Sequence, residues 1–525
     1  MDLLGALAVM ADMALGFSAG HGVRATYIGM CIARELGLPD DAQADQFYAA
    51  LLTDAGCTAW ASQTAAAILG DDMAARRELF FFTDPTDPRA VLKWLARYMA
   101  AGERVSVRLR RAANFAMHGR EFMLEGLQNS SQVAARFAQR LDRSTGVQEA
   151  LRFAFERWDG SGPSGRRRDA IPLVSRITYA SIFLEVFHGM DGRPAAIEMA
   201  RARRGKDLDP AVVDAFLALS TNEGFWQGLE GDSIWAIVRE MEPDSPSRYF
   251  SAERLDEAAK AFGDFADLKS FYTIGHSRRV AALCESMAAE IGLGEDERAI
   301  IRRAALLHDI GLVVIPSFVL HKPQERLSEA EWEAIRLHPY HAERILSRAP
   351  AFSRAARIVA AHHERPDGGG YFRGLFGDEI PAGARILAAA DRFDELTHAG
   401  PGHAELSAGE ALDSMGRENG RAFYQDVLAA LHSGLERAAV ENGDEPAPVP
   451  ARAKEKVRTA PTPLTDREIQ VLRILATGAS RSDMASQLGV SVHTVRRHIE
   501  HIYTKIDVRT RVEATLYAIE RGLIA

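Results

Sequence analysis

The chain reads as an all-α protein built from several helical domains. Two observations predict this. Ala and Leu dominate, and apolar residues recur at three and four positions nearly throughout, the period of a helix with one buried face. Strand signals are few and short, with Val105-Ser106-Val107-Arg108-Leu109 as one candidate. A third observation fixes the organisation: 525 residues exceed what a single core accommodates.

The start, Met1 to Phe17, is apolar but carries Asp2 and Asp12 and no early Lys or Arg. It suits a core-facing helix rather than a signal peptide or a membrane span. Hydrophobic content of 47% and charged content of 26% are those of a soluble globular protein. The net charge of −9 supplies no global basic field, so any nucleic-acid contact must be local. Cys31, Cys57 and Cys284 are far apart and match no metal-knuckle spacing, which favours a reducing cytoplasm without membrane association.

Four matches in order reveal an internal duplication. His21, Gly37-Leu38 and Asp54-Ala55-Gly56 reappear at an offset of 255 as His276, Gly292-Leu293 and Asp309-Ile310-Gly311. Glu156-Arg157-Trp158-Asp159-Gly160 parallels Glu364-Arg365-Pro366-Asp367-Gly368. Ile171-Pro172 with Ser175-Arg176-Ile177 parallels Ile380-Pro381 with Ala384-Arg385-Ile386, and Ser130 corresponds to His338. The first copy holds an insertion between about residues 60 and 115, where Phe80-Phe81-Phe82 and Asp84-Pro85 suggest an added helix and turn. The expected domains are residues 1–240, a linker or connecting helix at 241–264 that includes Met241 to Ser247, and residues 265–440. A Pro- and charge-rich tether at 441–463 and a last domain at 464–525 complete the chain.

The second copy carries the chemistry. His276, His308, Asp309, His338, His362, His363 and Asp391 are seven nitrogen and oxygen donors, enough for two divalent cations if they converge. Each also has a structural reading: a hydrogen-bonded core pair for His308 and Asp309, a helix cap for His338. Mixed imidazole and carboxylate ligation suits Fe, Mn, Ni, Co or Zn and selects none of them. A two-cation centre would make hydroxide available for attack on phosphorus and stabilise charge on the phosphoryl oxygens.

The order His308-Asp309-Ile310-Gly311, His338-Pro339, His362-His363-Glu364-x-x-Asp367-Gly368-x-Gly370-Tyr371, Ala384-Arg385-Ile386-(x)4-Asp391 resembles the HD-GYP subgroup of HD-domain phosphohydrolases. The resemblance covers about residues 265–435. It implies a helical bundle, a metal centre made by the seven donors with Asp309 central to catalysis, and hydrolysis of a phosphodiester, typically cyclic di-GMP. The chain departs from the pattern at four places. Leu312 stands where the family has a Lys placed to act on the attacking or leaving oxygen, and Phe372 where it has the Pro of Gly-Tyr-Pro. Ala399-Gly400-Pro401-Gly402 replaces a basic substrate-holding stretch. Tyr272 replaces the Glu of three-metal members, which argues for two metals. The cation donors are thus complete while the groups that handle substrate are altered.

The first copy keeps His21 and Asp54, but Thr53, Ser130, Ala154, Phe155 and Ile182 replace the other donors, too few for a metal pair. It is expected to be a degenerate HD-GYP-like domain that senses a ligand, dimerises or only builds the architecture.

In the tail, Thr465 with Glu468 forms a capping box before an apolar face that ends at Gly478. A short helix over Ser482 to Leu488, a turn at Gly489-Val490-Ser491, a third helix over Val492 to Ile506 and a fourth over Arg511 to Arg521 complete a helix-turn-helix. This stretch has nine Lys and Arg against seven Asp and Glu, a local +2. Leu464-Thr465-x-Arg467-Glu468, then Ala485-x-x-Leu488-x-Val490-Ser491-x-x-Thr494-Val495-x-x-His498, then Lys505 resembles the LuxR-type DNA-binding domain. It implies double-stranded DNA as a partner, bound by a homodimer, with Arg496 and Arg497 on bases or phosphates and Arg481, Thr494 and Lys505 on the backbone. Together the parts suggest a transcriptional regulator whose phosphohydrolase-like body hydrolyses or senses a phosphorylated small molecule. A phosphodiesterase with a localising tail and an inactive scaffold are the alternatives.

Overall fold

A computed structural model of the chain describes residues 2–83, 87–243, 251–441, 463–479, 481–508 and 510–524. Most of the tether expected at 441–463, part of the linker over Met241 to Ser247, and the Asp84-Pro85 turn lie outside these residues. Among the described residues no strand forms; isolated bridges such as Gly400 with His403 are the nearest approach. The strand expected at Val105–Leu109 is instead the start of a helix, Val105–Arg140. Val105 and Leu109 are four apart, so they share a helix face, and no neighbouring strand offers a ladder to compete with the helix.

The chain divides into two compact units, residues 1–261 with 316–318, and residues 262–315 with 319–525. The first unit opens with the helix Asp2–Ala14, buried along most of its length. Its Asp12 carboxylate accepts hydrogen bonds from the Gly20 and Gly22 N–H groups (2.7 and 2.9 Å), which satisfies the free donors that begin the helix His21–Glu35. The helices Asp40–Leu52, Val105–Arg140, Thr145–Arg152 and Leu173–Arg203 complete its frame, the last interrupted at Asp191 and Gly192. The insertion is helical, at Ala61–Ile68, Asp72–Arg77, Glu78–Phe82 and Pro88–Tyr98. It closes over its own small core of Ile68, Ala75, Trp94, Leu95 and Met99.

The second unit repeats the plan without the insertion. Asp267, 255 positions after Asp12, accepts from the Ser277 N–H (3.1 Å) and hydroxyl (2.7 Å) at the start of the helix His276–Glu290. The helices Glu295–Leu307, His338–Leu346, Ser353–Val359, Ala382–Thr397 and Gln425–Glu441 follow. The glycine after each Asp is dictated by a helix crossing. A Cβ at Gly56 would lie 1.9 Å from the Ser130 carbonyl oxygen, and one at Gly311 would lie 2.0 Å from that of His338. The duplicated Glu turns are also alike: Glu156 accepts from the Ser164 N–H and Glu364 from the Arg373 N–H, both at 2.6 Å. That turn is therefore a fold device, and Glu364 holds a loop.

The last four helices are Asp466–Ala476, Arg481–Leu488, Val492–Lys505 and Arg511–Glu520. The capping box of Thr465 and Glu468 is present, Ser491 caps the third helix, and Gly478 takes φ +81° just past the first. Val471, Leu472, Met484, Val495 and Ile502 form their shared core.

Candidate metal centre and nucleic-acid interface

All seven donors of the second copy meet at one place. His276 begins a helix, His308 ends one, and Asp309 opens the one-turn segment that follows. His338 starts the helix that crosses over Gly311, the His362–His363 pair follows the helix Ser353–Val359, and Asp391 lies on Ala382–Thr397. Asp309 sits in the middle. Its Oδ2 lies 3.6 Å from His276 Nε2 and 3.5 Å from His308 Nε2, while its Oδ1 lies 3.4 Å from His338 Nε2. Asp391 Oδ1 lies 3.2 Å from His276 Nε2 and 3.5 Å from His308 Nε2. His338 Nε2 and His362 Nε2 are 3.2 Å apart, and the His363 ring stands 4.1 Å from that of His362. Three overlapping donor triples result: His276, His308 and Asp309; His308, His362 and Asp391; and His338, His362 and His363; one Asp309 oxygen lies near His276 and His308 and the other near His338.

The donor set fits cations. Nδ1 of His308, His338 and His362 faces the backbone carbonyls of Ala305 (2.8 Å), Ile335 (2.8 Å) and Val359 (2.6 Å). A proton on each Nδ1 satisfies those carbonyls and leaves Nε2 as a bare lone pair aimed inward. Nitrogens with inward lone pairs 3.2 Å apart repel one another unless something positive lies between them.

The electrostatics agree. Burial raises and neighbouring imidazoles lower the pKa of Asp309 and Asp391, and the imidazoles win, so both stay ionised. Burial disfavours a charged His308, but Asp309 and Asp391 outweigh it and push it up to about 9. His362, buried and facing His338 and His308, is pushed down to about 3, and His363 also falls well below its ordinary value. One half of the cluster attracts positive charge and the other half holds neutral imidazoles.

Sequence reasoning missed Asp394. It accepts from His276 Nδ1 (2.7 Å) and is held by Arg279 through two contacts of 2.7 and 2.9 Å, so it fixes the His276 ring. Its position one turn after Asp391 and the place of Arg279 one turn after His276 were the available signals. The departures from the family pattern also take their places. Tyr272 and Leu312 line a cleft beside Asp309, and Phe372 packs on Tyr340.

In the first copy, His21 Nδ1 contacts Glu185, which Arg24 also holds at 2.6 Å. Where the second copy has imidazoles, this one has aromatic rings. Phe80 packs on Phe155 (5.6 Å) and Phe81 on Phe183 (5.1 Å), beside Thr53, Asp54 and Ser130.

In the tail, Arg481, Arg496 and Arg497 are exposed, as are His493, Glu500 and His501 on the third helix. Thr494 receives the Ser491 cap and bonds its hydroxyl (2.8 Å). Arg496 pairs with Glu500 along the helix at 2.9 Å. The Lys505 ammonium lies 2.7 Å from Glu468, joining the third helix to the capping box of the first. Burial would raise Glu468, but Lys505 and Thr465 hold it down at about 2.

Comparison with known proteins agrees with both halves. The HD domain family model matches residues 260–427, and that of the bacterial regulatory proteins of the luxR family matches residues 462–518. A 3'3'-cGAMP-specific phosphodiesterase 3 of Vibrio cholerae serotype O1 is 32% identical over 435 residues, covering 83% of this chain and 94% of the relative. The cyclic di-GMP phosphodiesterase response regulator RpfG of Xanthomonas campestris is 39% identical over 191 residues, 36% of this chain and half of that one. Among solved structures, the cyclic GMP-AMP specific phosphodiesterase V-cGAP3 of V. cholerae superposes with a TM-score of 0.57 at 30% identity, covering 83% of this chain and 97% of that one. No described helix is long and apolar enough to cross a membrane. The chain belongs to the HD-GYP-type HD-domain phosphohydrolases, and it carries a LuxR-type DNA-binding domain fused to that body.

Proposed function

We propose that this protein is a two-metal phosphodiesterase for a cyclic dinucleotide, with 3'3'-cyclic GMP-AMP as the first substrate to test, and that its DNA-binding domain makes it a transcriptional regulator. The observation that carries the reading is Asp309, whose two oxygens are directed at two separate sets of imidazoles. His276, His308, Asp309 and Asp391 would hold one divalent ion, and Asp309, His338, His362 and His363 the other. Such a pair supplies a hydroxide nucleophile near neutral pH and neutralises phosphoryl oxygens. The protein's own part is orientation: Asp394 and three backbone carbonyls aim the rings. Asp309 is 13% exposed and His363 is partly exposed, so the cluster would be reached by a phosphodiester from their side.

The substrate choice rests on the long relative with its matching structure. Arg481, Arg496 and Arg497 would meet duplex DNA, with Thr494 at the capped start of the same helix and two copies of the chain on a two-fold site. The pairing of Lys505 with Glu468 favours a bracing role for it over a phosphate contact.

The test is elemental analysis of the purified protein, then chromatography of 3'3'-cyclic GMP-AMP and cyclic di-GMP incubated with Mn- or Fe-loaded protein. Two metal equivalents and turnover that Asp309→Ala abolishes are expected. A metal-loaded protein that turns over neither dinucleotide sinks the enzyme reading. DNA binding and sedimentation, measured with and without dinucleotide, test the regulator.

A further inference from the structure

Lys269 is one of the largest fully buried side chains of the chain, at 1% exposure, two residues beyond the helix Ala252–Asp267. It lines a small cleft of about 90 Å³ together with Asp309, Leu312, Tyr272, Thr273 and Pro401. That is room for a group the size of a phosphoryl, and not for a whole dinucleotide. One wall of the cleft is the carboxylate at the middle of the donor cluster, and another is the leucine standing where the resemblance leads one to expect a lysine. A lysine from a different segment thus lines the same cleft as Leu312.

The first copy argues against a purely architectural role. The position 255 residues earlier is Ala14, at the end of the buried first helix. The same scaffold, with Asp12 at the counterpart of Asp267, is built there with an alanine at this position. The lysine occurs in the copy with the donor cluster, where its side chain lines the cleft beside Asp309.

We infer that Lys269 is a catalytic residue of the proposed phosphodiesterase, its ammonium contacting a non-bridging phosphoryl oxygen of the substrate in this cleft. The inference rests on the reading given under the proposed function. In the reaction, water oxygen forms a new P–O bond and the P–O bond to one sugar breaks. The electron pair leaves on that sugar oxygen, which gains a proton derived from the attacking water. Lys269 keeps its protons throughout and contributes charge, which a poorly hydrated cleft strengthens.

The test compares metal-loaded wild type, Lys269→Met, Lys269→Arg and the double variant K269M/L312K on 3'3'-cyclic GMP-AMP and bis-p-nitrophenyl phosphate. Lys269→Met should lower kcat by about a hundredfold on both substrates at unchanged metal content. Lys269→Arg should retain part of it, and L312K should restore turnover to Lys269→Met, which a structural role for Lys269 would not permit. In calorimetry on an Asp309→Ala background, Lys269→Met should weaken 3'3'-cyclic GMP-AMP binding about tenfold or more. Wild-type turnover with unchanged kcat and affinity in Lys269→Met overturns the inference alone. So does unfolding of both Lys269→Met and Lys269→Gln, because the ammonium would then be part of the scaffold. Wild-type protein that neither binds nor turns over either substrate overturns the inference together with the reading beneath it.

Discussion

The first copy holds Glu185 between His21 and Arg24; the second holds Asp394 between His276 and Arg279, the same arrangement 255 positions later for His and Arg and 209 later for the acid. What faces those histidines differs completely. Around His276 stand three more imidazoles or carboxylates within 3.6 Å, those of His308, Asp309 and Asp391; around His21 the space is closed by Phe17, stacked at 4.3 Å, and by the Phe80–Phe81 ring cluster. The contacts that satisfy buried polar groups are required in either copy, because breaking one leaves an unpaired buried charge. Metal donors carry no such requirement once a ring fills their volume, so the two copies diverge in the donors and agree in the supports.

The largest expected effect breaks the comparison at its centre. Asp309→Ala should remove metal and turnover together, whereas Asp54→Asn in the first copy should leave the metal content of the protein unchanged; elemental analysis of both variants checks this. Loss of metal from Asp54→Asn would mean that the first copy is not an aromatic-filled relic. Next, Asp394→Ala should cost about 10–100-fold in metal affinity by freeing the His276 ring, measured by competition with a chelating dye. Phe81→Ala should destabilise the first unit by about 3 kcal/mol, seen as an earlier melting transition, with turnover of the folded protein retained.

A pH prediction sharpens the contrast further. Burial disfavours a charged His21, but Glu185 outweighs it and pushes His21 up to about 9 from the ordinary 6.5. The fold therefore prefers the protonated ring. Its stabilisation is complete below pH 6.5 and is lost as pH rises through about 9, a change of roughly 3 kcal/mol. Denaturant melts of the wild type should show that decline, and His21→Gln should flatten it. The smallest effect is in the tail: Arg497→Ala should reduce the slope of log affinity against log salt by about one, measured by anisotropy on bound duplex. An unchanged slope would remove Arg497 from the phosphate contacts.

Local pattern was enough to expect helices, the capping box at Thr465 and Glu468, and the turn at Ser491, since each depends on residues within one turn of each other. It misled at Val105–Leu109, where a short alternation of apolar and polar residues outweighed the helical run that follows. The duplication was legible because the fold needs a glycine at each helix crossing and an acid at each turn, at fixed spacing.

By itself, then, the sequence determined which residue types were available: seven donors, a missing lysine, a reader for DNA. Only the tertiary structure decided that Asp309 turns one oxygen to each half of the donor cluster, that Asp394 holds His276, and that Lys269 reaches the cleft beside Leu312. Those facts depend on side chains from helices far apart in the chain. Such meetings are set by how whole helices pack, and no local periodicity encodes them.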